Sequence, residues 1–118
     1  MNNGTLRIAL GADHGGVTVK KAIIEALEEE GEKVVDFGAS GGETVDYPDY
    51  AQKVARSVAS GNCDFGVLIC KSGIGMSIAA NRVRGVRAAR LCTTEDAVVT
   101  RGHNDSNVAC LGSNGLTP

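Results

Sequence analysis

Apolar residues along this chain fall into short runs, separated by stretches in which they recur every three or four positions. Leu6 to Ala12 is a run of strand length. Gly15 to Glu30 follows with Val19, Ile23, Ala26 and Leu27 on one helical face and Gly31 as its stop. Lys33 to Gly38 predicts a second short strand, and Ala39 to Asp46 a polar loop. Asp46-Tyr47-Pro48 then offers an N-cap and a first-turn proline to a second helix, which buries Tyr50, Val54 and Val58 and closes at Gly61. Phe65-Gly66-Val67-Leu68-Ile69 has β-branched content without polar alternation, which suits a parallel strand covered on both faces. A third helix is expected over Gly75 to Val83 and a fourth strand over Gly85 to Leu91. Thr94 to Arg101 predicts a fourth helix with Glu95 and Asp96 in its first turn, and Asn107 to Leu111 a fifth strand.

Five strands alternating with four helices imply right-handed crossovers and an α/β fold, a five-stranded parallel sheet with helices on both faces. The expected strand order is the flavodoxin-like 2-1-3-4-5, which places the first and third strands side by side and opens a crevice at their carboxyl ends. In the first helix Lys20 and Lys21 come early and Glu28 to Glu30 late, against the helix dipole, and this charge run reads as a solvated face. No linker or repeat interrupts the alternation, so residues 1–118 are expected to form one domain.

Composition narrows the function classes. A net charge of −2 with no basic run gives no footprint for nucleic acid. No apolar stretch is long enough for a membrane span and no signal-peptide pattern opens the chain, which points to the cytoplasm. Cys63, Cys70, Cys92 and Cys110 show no C-x-x-C spacing and read as reduced thiols.

The third strand delivers Cys70 into the loop Lys71-Ser72-Gly73-Ile74-Gly75, whose N–H groups can face an anion at a helix start. Either this thiol is catalytic, or it is a buried structural cysteine before an ordinary turn. Asp13 and His14, at the end of the first strand, would line the same crevice; the plainer reading makes Asp13 a helix cap and His14 a loop residue. Gly73-Ile74-Gly75 has Ile78 where a dinucleotide fingerprint needs its last glycine, and no P-loop occurs. Cys70, His14 and His103 lack the spacing of a metal site. His103 and Asn104 precede the fifth strand and so fall at the opposite edge of the sheet. If His103 is catalytic it serves a second subunit; otherwise it is a histidine at a helix C-terminus.

The set GADHGG at 11–16, DYP at 46–48, LICKSGIGMSIAANRVRGVRA at 68–88 and HNDSNV at 103–108 resembles the type B ribose-5-phosphate isomerases and the galactose-6-phosphate isomerase subunits. The resemblance covers nearly the whole chain. It implies a three-layer αβα Rossmann-like sandwich, a homodimer or homotetramer with shared sites, and cofactor-independent interconversion of aldose and ketose phosphates. By that resemblance Cys70 matches the proton-abstracting thiol and His103 the residue that helps open the sugar ring. Asp13, His14 and Asn104 match substrate contacts, Tyr47 a residue lining the pocket, and Lys71, Ser72, Gly73, Ile74 and Gly75 the anion-stabilising loop.

The chemistry suits these residue types. Isomerisation moves a proton between neighbouring carbons through an enediolate, which calls for a thiolate base, loop donors for the developing oxyanion, and a hydroxyl such as Ser72 to pass the proton between oxygens. The chain departs from the family where Lys71 replaces a glycine and Asn114 an arginine that helps hold phosphate. It also ends at Pro118, before the family's C-terminal helix and its further arginines, leaving the fifth strand without that cover. Two other functions remain open: an altered family member that binds sugar phosphates or assembles with partners, and a hydrolase or transferase with Cys70 as nucleophile and His14 or His103 beside it.

Overall fold

The computed structural model describes residues 5–38 and 47–115; the expected polar loop, including the N-cap candidate Asp46, lies outside them, as do the side chains of His14, Tyr47 and Pro48. Five strands, β1 (Arg7–Ala12), β2 (Lys33–Asp36), β3 (Phe65–Cys70), β4 (Ala88–Leu91) and β5 (Val108–Gly112), alternate with four helices, α1 (Val17–Glu29), α2 (Tyr47–Ala59), α3 (Ile74–Asn81) and α4 (Thr94–Asn104). Every strand pairing is parallel. This is the three-layer sandwich expected from the alternation.

The strand order is β2-β1-β3-β5-β4, which corrects the expected 2-1-3-4-5 in its last two places. Right-handed crossovers in the expected order would set α2, α3 and α4 on one face and leave α1 alone on the other. In the observed order the chain steps past β5 to β4 and returns, so α4 falls on the α1 face and each face receives two helices. Composition agrees, since the interior place goes to β5, whose Val108 and Cys110 are buried, while β4 with its exposed Arg90 takes the edge.

On the α2/α3 face the core joins Ala51, Val54, Ala55 and Val58 of α2 and Met76, Ala79 and Ala80 of α3 to Ala9, Leu68, Cys70, Val108 and Cys110 of the sheet. On the other face Val19 and Ile23 of α1 pack on Ala12, Val67, Ile69 and Leu111. Between α1 and α4 an apolar groove of about 230 Å³ lies over the middle strands, with Ile8, Phe65 and Val67 among its lining. Lys20 departs from the solvated face expected for the charges of α1. It is 2 % exposed and its Nζ donates to Asp36 Oδ1 of β2 at 2.8 Å. Position 20 lies one turn from both Val17 and Ile23 and thus on the inward stripe, where a cation is tolerated only with a partner.

Candidate active site

Cys70 is the last residue of β3, opposite Gly112 of β5 in the ladder. It is 7 % exposed, so it belongs to the α2/α3 core and to the sheet edge at once. The N–H of Gly73 donates to its Sγ at 3.1 Å, an arrangement suited to negative charge on sulfur. Gly73, the N-cap of α3, adopts φ +80°, the left-handed region that favours glycine. A Cβ there would lie 3.0 Å from the carbonyl carbon of Leu111, and a Cβ at Gly112 would lie 2.7 Å from the Ser72 carbonyl oxygen. The loop therefore closes over the sulfur because both facing positions lack a side chain. α3 begins one residue earlier than the sequence spacing predicts, because the positive φ of Gly73 sets its cap.

Around this turn Ser72 Oγ accepts from Ile74 N–H at 3.2 Å, and the Ser72 carbonyl accepts from Arg90 Nε at 2.8 Å. The N–H of Gly73 is thus committed to the thiol and that of Ile74 to the serine, whereas the sequence reading assigned the loop donors to a bound anion. Cys110 lies on the same face of the sheet as Cys70. Burial, and secondarily the charge on Cys70, pushes its thiol up to about 12, so Cys110 stays protonated at neutral pH.

Asp13 follows β1 and caps the short turn His14–Gly16, its Oδ1 accepting from Gly16 N–H at 3.1 Å. Its own N–H donates to the Ile69 carbonyl at 3.1 Å, tying the first βα turn to the end of β3. The plainer reading of Asp13 as a cap is therefore what the structure shows, and that cap sits at the crevice. His14 takes its backbone place in the same turn, and Tyr47 is the first residue of α2. Lys71 is exposed, with its Cγ 3.9 Å from where a Cβ on Gly15 would stand. Ile74 and Gly75 form the first turn of α3.

His103 and Asn104 are exposed in the last turn of α4, which ends at Asp105 in the left-handed conformation. The Asn104 carbonyl accepts from Arg87 Nε at 2.6 Å. Both residues precede β5, whereas Cys70 pairs with the far end of that strand. Four residue steps of a strand, about 13 Å, separate the two ends. Within one chain the structure thus gathers Asp13, the His14 backbone and the 70–75 loop, and leaves His103 and Asn104 apart.

Sequence reasoning missed Arg90. It sits with Lys71, Ser72, Cys92, Gly112 and Asn114 around a cleft of about 220 Å³ beside the Cys70 turn. Its only signal is an arginine next to the carboxyl end of β4, whose other residues are apolar. Among the described residues no group of three or more His, Cys, Asp or Glu could hold a metal, and no helix is long and apolar enough to cross a membrane.

The chain is similar to ribose-5-phosphate isomerase B of Escherichia coli, 46 % identical over 107 residues that cover 91 % of this chain and 72 % of that protein. Its fold is similar to that of ribose-5-phosphate isomerase B from Clostridium thermocellum, with a TM-score of 0.92 at 47 % identity over 94 % of this chain and 75 % of the other. The enzyme of that name from Mycoplasma genitalium, solved with bound ribulose-5-phosphate, aligns with a TM-score of 0.90 at 39 % identity over 98 % of this chain and 77 % of the other. The model of the family described as Ribose/Galactose Isomerase matches residues 8–118. On that match and these identities, the chain belongs to the ribose/galactose isomerases, a family of aldose–ketose isomerases acting on sugar phosphates.

Proposed function

We propose that this isomerase interconverts an aldose phosphate and its ketose partner, of the ribose 5-phosphate and ribulose 5-phosphate kind, with Cys70 as the base. The thiolate takes the proton from the carbon beside the aldehyde, the electron pair moves into the carbonyl to give an enediolate, and the thiol returns the proton to the neighbouring carbon. Ser72 passes the hydroxyl proton between the two oxygens, so the sugar is isomerised with no net gain or loss of atoms or electrons. Asp13, His14, Tyr47 and the Lys71 to Gly75 loop surround the substrate. The observation that carries this reading is the Gly73 N–H donating to Cys70 Sγ at 3.1 Å at the carboxyl end of a central strand.

In the same proposal His103, with Asn104, opens the sugar ring in the site of a second copy, since it lies too far from Cys70 within one chain. Ile74 and Ile78, one turn apart on α3 and 50 % and 58 % exposed, support an apolar contact between copies next to the site.

The test is turnover of ribose 5-phosphate in deuterated water. The wild type should place deuterium on carbon in the product, and Cys70→Ala should lose at least about 10²-fold in turnover while keeping its fold by circular dichroism. Retained turnover in Cys70→Ala would remove the base assignment. Binding without turnover would favour the altered family member, and an acyl adduct on Cys70 the nucleophile.

A further inference from the structure

The cleft beside the Cys70 turn is built from the ends of three strands: Lys71 and Ser72 follow β3, Arg90 and Leu91 end β4 with Cys92 after them, and Gly112 ends β5 with Asn114 beyond. It exists because β5 lies between β3 and β4. Two of its lining residues are cations and none is a carboxylate, in a chain whose net charge is −2. Among the described residues neither Lys71 nor Arg90 takes part in an ion pair. Asp96, at the start of α4, is engaged by the N–H groups of Cys92 and Thr93 at 2.9 and 3.2 Å.

Arg90 is also oriented. Its Nε donates to the Ser72 carbonyl at 2.8 Å, which fixes the guanidinium plane against the catalytic turn and leaves the terminal amino groups for a ligand. The N–H of Asn114 donates to the Lys71 carbonyl at 3.2 Å and holds the floor of the cleft. Lys71 also borders the first βα turn, its Cγ 3.9 Å from where a Cβ on Gly15 would stand.

We propose that Lys71 and Arg90 form an anion subsite that takes the phosphate ester of the substrate while its reacting carbons lie at Cys70; this rests on the sugar-phosphate reading above. A dianionic phosphate matches one ammonium and one guanidinium. The planar, pre-oriented guanidinium is suited to two parallel hydrogen bonds with phosphate oxygens. The subsite makes phosphorylation a condition of good binding.

Inorganic phosphate is the probe, titrated calorimetrically at low ionic strength into the wild type, Lys71→Met, Arg90→Gln and the double variant. Glutamine keeps a donor for the Ser72 carbonyl. Each single variant should weaken phosphate binding on the order of tenfold and the double on the order of a hundredfold. Asn114→Asp, an exposed change that adds a negative charge to the floor, should weaken it as well. Arg82→Met, an exposed loss of charge at the end of α3, should leave binding within about twofold. In the wild type phosphate should compete with ribose 5-phosphate, and KM for the sugar should rise in step with the loss of phosphate affinity. Unchanged phosphate binding in the double variant, equal weakening by Arg82→Met, or non-competitive inhibition overturns the subsite. A wild type that binds phosphate through Lys71 and Arg90 but does not turn over the sugar supports the subsite and overturns the isomerase reading instead.

Discussion

Two sulfur atoms lie on one face of the sheet in different surroundings. Cys70 has an N–H aimed at it, whereas Cys110 is enclosed and keeps its proton until about pH 12, against an ordinary 9.0. In the unfolded chain Cys110 ionises near 9.0, so its contribution to stability is complete below pH 9 and is lost as pH rises towards 12. Over that window the loss runs at about 1.4 kcal/mol per pH unit. Urea midpoints of the wild type between pH 7 and 11 should therefore fall more steeply on the alkaline side than those of Cys110→Val, which keeps the volume and removes the titration. Parallel curves would show that another group governs the alkaline edge. The sequence made Cys70 legible, because an apolar strand running into glycines leaves its last residue at a ligand-binding edge. Nothing local distinguished Cys110 as its charge-sensitive neighbour, since that depends on which strand pairs with β3.

Elements were legible where a pattern carried them, with boundaries shifting by one to three residues as caps took over. Helix α4 runs to Asn104 rather than Arg101 because Asp105, not Gly102, adopts the left-handed cap. Lys20 was illegible because an isolated charge on a periodic stripe looks like solvent-facing polarity until its partner Asp36 is seen. Arg90 was illegible for a related reason: its neighbours come from β3 and β5, and the order of the last strands does not follow from alternation alone. The same order makes β5 a structural support for the Cys70 turn. Gly112→Ala would push a methyl to 2.7 Å from the Ser72 carbonyl oxygen and 2.9 Å from that of Lys71. Both are backbone atoms, so the turn must move. The variant should unfold about 1–3 kcal/mol more easily in urea and lose most of its turnover of ribose 5-phosphate, whereas full activity would show that the turn tolerates displacement.

At the scale of the whole molecule the residues proposed for the site are divided between the two edges of the sheet. One chain brings together Cys70, Asp13 and the loop from Lys71 to Gly75, while His103 stands at the other edge of the sheet. If the two halves meet across an interface, a preparation mixing Cys70→Ala subunits with His103→Ala subunits should regain activity that neither has alone, because each mixed pair rebuilds one intact site. No recovery after verified subunit exchange would place ring opening elsewhere.

The position of β5 has a further consequence for how this chain acquires its shape during synthesis. When the first ninety or so residues have left the ribosome, β1, β2 and β3 can pair, but β3 presents an open edge and β4 has nothing to bond with, since its one neighbour in the sheet is β5. The nascent chain thus carries two unsatisfied strands until residues 108–112 slide between them. That late insertion joins β3 to β4 and seats Gly112 against the Cys70 turn, so the exposed inner edges of β3 and β4 are covered together and only β2 and β4 are left as the outer edges of the sheet.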